Sequence, residues 1–185
     1  MGLGYDEFGR RLVETILTSD RVEQTLQAVV SGSFETSIRQ AAGLVRAKGT
    51  GNVSKIDVDT LLDGDLLAFV ARLHVEMKLV VRVSGVPNRY LAKGTIMLAL
   101  RPVINDDLSI FIDVPNVRAD DIHLELRPEG TVAAIIDQIG SVSDQVRREI
   151  VRFVNVRKDA PEAMEQRRID VGQTIEAEWE RRSSA

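Results

Sequence analysis

The chain is 185 residues long, 44% hydrophobic and 28% charged, with a formal net charge of −4 and no cysteine. That length can bury one sizeable core, and the mixed charge argues against disorder and against nucleic acid as a partner, because phosphate contact needs a dense Lys/Arg surface. The lack of cysteine removes disulfides, thiolate zinc sites and cysteine nucleophiles together.

Met1 to Glu7 shows no basic segment leading into an apolar run, so no secretory leader is expected and a cytoplasmic protein is the simplest reading. No stretch reaches the roughly 18 consecutive apolar residues of a membrane-spanning helix. Residues 1–48 read as a helical segment packing on the main domain. Tyr5, Phe8, Leu12, Val13, Ile16 and Leu17 recur at helical spacing, and Asp20 with Glu23 reads as a capping box opening a second helix from Val22 to Val30. Ile38, Ala41, Ala42 and Val45 predict a third helix from Phe34 to Ala47, and Lys48-Gly49-Thr50-Gly51-Asn52 reads as a flexible turn.

Residues 49–175 read as the main domain, and from Val53 the period changes to two. Ile56 and Val58 suggest a short strand ending in the turn Leu62-Asp63-Gly64-Asp65. From Leu67 to Val83 the alternation is nearly unbroken. Leu73, Val75, Met77, Leu79 and Val81 point one way, and Arg72, His74, Glu76, Lys78 and Arg82 the other. A strand of about 16 residues spans roughly 50 Å, well beyond the usual strand of about 5 or 6 residues, and needs an equally long object to cover. A second long strand from Tyr90 to Ile104 places Ala92, Gly94, Ile96, Leu98 and Leu100 on one face. Leu108, Ile110 and Ile112 predict a third strand and Ile122, Leu124 and Leu126 a fourth, together an antiparallel meander.

After Gly130 the period is helical again. Val132, Ile135, Ile136, Ile139, Val142, Val146, Ile150 and Val154 form one apolar stripe, the mark of a long helix that Pro161 ends. About 25 residues at 1.5 Å rise give roughly 38 Å, commensurate with the long strands. A short strand around Ile169 to Val171 returns to the sheet edge, and residues 176–185 read as a polar tail.

Chemistry is harder to find. His74-Val75-Glu76 and His123-Leu124-Glu125 each place an imidazole and a carboxylate on one strand face, and on neighbouring strands the four groups would approach zinc or iron ligand geometry. Alternation alone already puts both pairs on a solvated face, and that reading is preferred; no metal and no cofactor is assigned. Asp57, Asp59, Asp63 and Asp65 lack the order of a calcium loop and read as turn residues, as do Asp106-Asp107 and Asp120-Asp121. Gly49 and Gly51 precede an extended segment, so they form no phosphate loop, and no serine sits in a Gly-x-Ser-x-Gly elbow. A non-enzymatic protein is expected. Arg147, Arg148, Arg152, Arg157 and Lys158 line one polar flank of the long helix, which keeps it soluble or, alternatively, touches an anionic membrane peripherally at about 1 kcal/mol per cation.

The long antiparallel sheet of Leu67 to Leu126 followed by the striped helix Val132 to Val154 resembles the tubular lipid-binding (TULIP-like) superfamily, over about residues 53 to 171. The resemblance implies an α+β fold in which a long curved antiparallel sheet wraps along a long C-terminal helix, preceded by an N-terminal helical segment. It also implies an apolar channel between sheet and helix for a lipid or other hydrophobic small molecule. The residues expected to line that channel are Met77, Leu79, Val81, Ile96, Leu98, Ile110, Ile135, Ile139 and Val146. With only 4% aromatic residues the interior is filled by aliphatic side chains, and Ala92, Gly94 and Ala99 are expected to leave room for a helix or a ligand. The alternative is a homodimeric interaction module with a dry core, pairing through the long strand Leu73 to Val83, whose edge has few guarding charges.

Overall fold

A computed structural model describes residues 4–30, 32–40, 45–63, 66–83, 85–129 and 136–176. Two helices, α1 (Tyr5–Ile16) and α2 (Ser19–Val30), precede four consecutive antiparallel strands. These are β1 (Ser33–Gln40), β2 (Val45–Asp63), β3 (Leu66–Val83) and β4 (Val86–Ile104). Next come β5 (Ser109–Asp113), a 3-10 turn at Ala119–Asp121 and β6 (Ile122–Pro128). The long helix α3 (Ile136–Lys158), the short α4 (Pro161–Gln166) and β7 (Arg168–Asp170) complete the chain. The fold is α+β, and its seven-stranded sheet curls into a half-barrel.

The strand order is β1-β2-β3-β4-β5-β7, with β6 also paired to β4. The expected meander therefore holds only through β5. Both β5 and β6 use the same edge of β4, at Arg101–Ile104 and Tyr90–Ile96 respectively. β2, β3 and β4 have 19, 18 and 19 residues, close to 60 Å each at about 3.3 Å per residue. β3 is paired on both sides, to β2 and to β4, so it offers no free edge for another chain.

The third expected helix, Phe34 to Ala47, is strand: β1 and the start of β2 occupy it, and Ala41 and Ala42 lie outside the described residues. Phe34, Thr36 and Ile38 turn inward while Glu35, Ser37 and Arg39 face solvent, a two-residue period that outweighs the helical spacing of Ile38 and Val45. Lys48 to Asn52 is likewise the middle of β2 rather than a turn. The register of β2 shifts between Val53 and Lys55, a bulge at Ser54, whose Oγ donates to the His74 carbonyl at 3.2 Å. That one extra residue moves the inward phase from Val45, Ala47 and Val53 to Ile56 and Val58, which is why only the tail of this strand reads as a strand in the sequence. At α2 the backbone amide of Arg21 is capped by Thr18 Oγ1 at 3.3 Å, so the helix starts one step before the expected Asp20 box. Leu108, expected on the face of β5, instead takes a left-handed φ of 59° in the preceding turn and is 69% exposed.

One core runs the length of the trough. α2 packs on β2, and α3 touches both β1 and β6, so that the helix bridges two sheet edges that do not pair with each other. Phe34 of β1 stacks on Phe153 of α3 with ring centroids 4.5 Å apart and planes 27° from parallel. Asn155 ties the same helix to the loop before β6, accepting from the Val117 amide at 2.9 Å and donating to its carbonyl at 3.1 Å. Beyond α4, Arg167 is buried over the Phe111 ring and donates to the Lys158 carbonyl at 2.8 Å. Burial lowers its pKa, partly offset by the charges of Asp159 and Asp113.

Candidate functional site

The inner face of the half-barrel is laid out in rows by strand register. One row reads Phe34, Gly51, Met77, Ala92, Leu126 from β1 to β6, and the next reads Thr36, Gly49, Leu79, Tyr90, Pro128. Each row sets a glycine of β2 between larger side chains of β1 and β3. A Cβ on Gly51 would stand 2.7 Å from Phe34 Cζ, and one on Gly49 would meet Leu79 Cδ2 and the Lys78 carbonyl. A Cβ on Gly94 would lie 3.1 Å from Leu124 Cδ1. Neighbouring side chains thus fill the room expected beside Ala92 and Gly94, while Ala99 faces outward and is exposed.

Of the nine residues expected to line a channel, Met77, Leu79, Val81, Ile96, Leu98, Ile110 and Val146 are buried and belong to one continuous apolar cluster. Ile135 lies outside the described residues; Ile139 lies on the backbone of α3, with its side chain outside them. Six of the seven lie on the inner face of the sheet and Val146 lies on α3, and they are not brought into one place. Val81 pairs with Asn88 and Ala71 with Leu98, so Val81 and Leu98 sit ten residues of strand apart, about 33 Å. They mark the whole trough. Thr36, Asn88 and Tyr90 also point inward and are buried, and sequence reasoning missed all three. For Thr36 the signal was the alternation of Phe34, Thr36 and Ile38; for Asn88 it was hidden by starting the second long strand at Tyr90 rather than Val86.

The outer face is different in kind. His74 pairs with Thr95, and Thr95 with His123, so the two imidazoles start two strand spacings apart, about 10 Å, with β4 between them. That separation does not form the shared ligand set considered for the His/Glu pairs, and among the described residues no group of three or more His, Asp or Glu is arranged to hold a metal ion. The groups instead form a lattice of ion pairs around an open depression of about 420 Å³. Lys93 meets Glu76 at 2.9 Å, His74 meets Asp57 at 3.0 Å and Arg72 meets Asp59 at 2.5 Å. Asp57 and Asp59 therefore serve mid-strand, not in a turn. The hydrogen bond from Lys55 holds the Asp57 carboxyl below the ordinary carboxylate range, with His74 adding to it. Glu125 is lowered in the same way, by Arg127 first. Such exposed pairs contribute at most about 1 kcal/mol each. On α3, Arg147 pairs with Asp144 at 2.7 Å, Arg152 lies 4.0 Å from Glu149, and Lys158 is buried against Asp159. The basic flank is interleaved with acid.

No protein-family profile matches the chain, and no curated protein matches it. Among solved structures it is similar to the crystal structure of lipopolysaccharide binding protein, at 11% identity, with a TM-score of 0.34, over 80% of this chain and 38% of that one. The chain thus spans well under half of that protein's length. At this identity and TM-score the likeness is one of backbone outline and says nothing of what this chain binds. Among the described residues no helix is long and apolar enough to cross a membrane.

Proposed function

We propose that this protein binds a lipid-like hydrophobic ligand between the inner face of the half-barrel and α3, as a carrier or sensor without enzymatic chemistry. The observation that carries this reading is the seam. Among the described residues β1 and β6 do not pair, and α3 packs on both, with the Asn155 bonds tying it to the loop before β6. A strand seam would resist opening through its hydrogen-bonded ladder, whereas a helix held by packing can shift outward with every β ladder intact. Displacing α3, about 35 Å long at 1.5 Å per residue, would uncover that much of the aliphatic trough, around the rows of Met77 and Leu79. Because neighbouring side chains fill the glycine positions, the ligand space is opened by the helix rather than standing ready.

The same filling favours a second reading, a homodimeric interaction module with a dry core, since interiors normally pack to crystal-like density. Native mass spectrometry of the purified protein, followed by organic extraction, separates the two. A discrete co-purifying lipid mass is the expected result. An apoprotein spectrum that stays unchanged after incubation with lipid vesicles, together with a concentration-dependent dimer, would replace the ligand reading with the module.

A further inference from the structure

Near the β3–β4 hairpin three polar side chains interrupt the aliphatic inner face. Thr36 is 5% exposed, and its Oγ1 has no hydrogen-bond partner among the described residues. Tyr90 lies in the same register row on the opposite wall of the half-barrel, and Asn88 one row beyond it; both are 7% exposed. The Asn88 amide reaches only the Val86 carbonyl of its own hairpin, at 3.4 Å. A buried hydroxyl without a partner is unfavourable, and valine would fill the same volume without that penalty. Thr36 and Tyr90 therefore face inward at one level and Asn88 about 7 Å further toward the hairpin, with the apolar rows of Met77 and Val75 on the other side.

The cations nearest in sequence do not share this face. Lys48, Lys78 and Arg89 alternate outward and are exposed, so among the described residues of these strands the inward positions beside Thr36, Asn88 and Tyr90 are neutral. A carboxylate or phosphate placed there would be desolvated without an ion partner, whereas a hydroxyl or ester head could give and take hydrogen bonds with all three side chains. We propose that the ligand is a neutral amphiphile, a long-chain alcohol or monoacylglycerol, whose head sits among Thr36, Asn88 and Tyr90 and whose chain runs along the rows beneath. This rests on the ligand-binding reading above and adds the chemistry of the head.

The test is displacement of the neutral fluorophore N-phenyl-1-naphthylamine from the full-length protein at pH 8, by 1-decanol and by decanoate. Decanol is expected to compete at least tenfold better than the ionised acid. Thr36→Val should weaken decanol about five- to tenfold, the worth of one hydrogen bond, while leaving the fluorophore's own affinity unchanged and Thr36→Ser near wild type. Tyr90→Phe serves as an independent variant with the same expected loss should T36V fold poorly. Equal competition by decanoate, or undiminished decanol binding in both T36V and Y90F, overturns the neutral head group alone. Failure of the wild-type protein to bind the fluorophore or decanol at all overturns the ligand-binding reading beneath it.

Discussion

Gly51→Ala gives the sharpest test of how the trough is packed, because packing and intrinsic propensity predict opposite signs. Alanine in place of glycine within a strand ordinarily gains about 0.5 to 1 kcal/mol, chiefly by restricting the unfolded chain. Here the new methyl would stand 2.7 Å from Phe34 Cζ, 3.0 Å from Cε1 and 3.2 Å from the Glu76 carbonyl, against an ordinary contact of about 3.5 to 4.0 Å. The carbonyl belongs to the β2–β3 ladder and cannot retreat. The ring must, and it is held on its far side by Phe153, 4.5 Å away centroid to centroid. Overpacking of this sort costs about 1 to 3 kcal/mol, and disturbing the aromatic pair adds about 0.5 to 1.5 kcal/mol. Net of the propensity gain, G51A should destabilise by about 2 kcal/mol, or about 4 to 8 °C in Tm for a chain of this size. Urea unfolding followed by far-UV circular dichroism measures it. In a Phe34→Leu background the same substitution should cost at least about 1 kcal/mol less, a coupling that places the clash on the ring. A G51A protein as stable as wild type would mean that Phe34 does not fill the space above Gly51, and the packed description of that row would be wrong.

Two further outcomes follow from charged groups. Asp107 accepts from the Ser109 hydroxyl at 2.6 Å and amide at 3.0 Å and pairs with Arg168 of β7, contacts that hold its carboxyl below the ordinary 3.8. A folded-state value below the unfolded one stabilises above about pH 4, and that contribution disappears as pH falls through the lowered value. Asp107→Asn should therefore flatten the acid limb of a urea-midpoint profile between pH 3 and 5 while changing nothing in its shape from pH 6 to 8; parallel curves for the two proteins would sink this. Zinc should leave the thermal transition unmoved, since β4 separates His74 from His123, and a stoichiometric stabilising shift lost in His74→Asn would show that the side chains converge after all.

Where the sequence was legible, one physical period acted without interruption. β3 and β4 alternate along most of their 18 and 19 residues, and the apolar stripe of α3 repeats through Val142, Val146 and Ile150; β3 was read almost to the residue, while β4 starts at Val86, four residues before the expected Tyr90, and α3 runs on to Lys158, past the expected Val154. β2 failed because two tertiary facts were written into it as local noise. Gly49 and Gly51 signal a turn to any reading of single residues, yet they are glycine because Leu79 and Phe34 occupy the space where their side chains would go. The bulge at Ser54 then reverses the inward phase, splitting one 19-residue strand into an apparent turn and a short remnant.

The residues expected to line a channel met the same boundary. Alternation told which face they share, and seven of the nine are indeed buried together, but no period in the sequence says how far apart along a strand two residues stand from a ligand's point of view. Nor could it show that Thr36 on β1 and Tyr90 on β4 reach the same level, because that depends on registers set by three successive strand pairings. The polar end of the trough is therefore a property of topology. Shifting any one of those pairings by two residues would keep Thr36 and Tyr90 facing inward and yet separate them by about 7 Å along the strands, which makes their common level a stricter requirement than their burial.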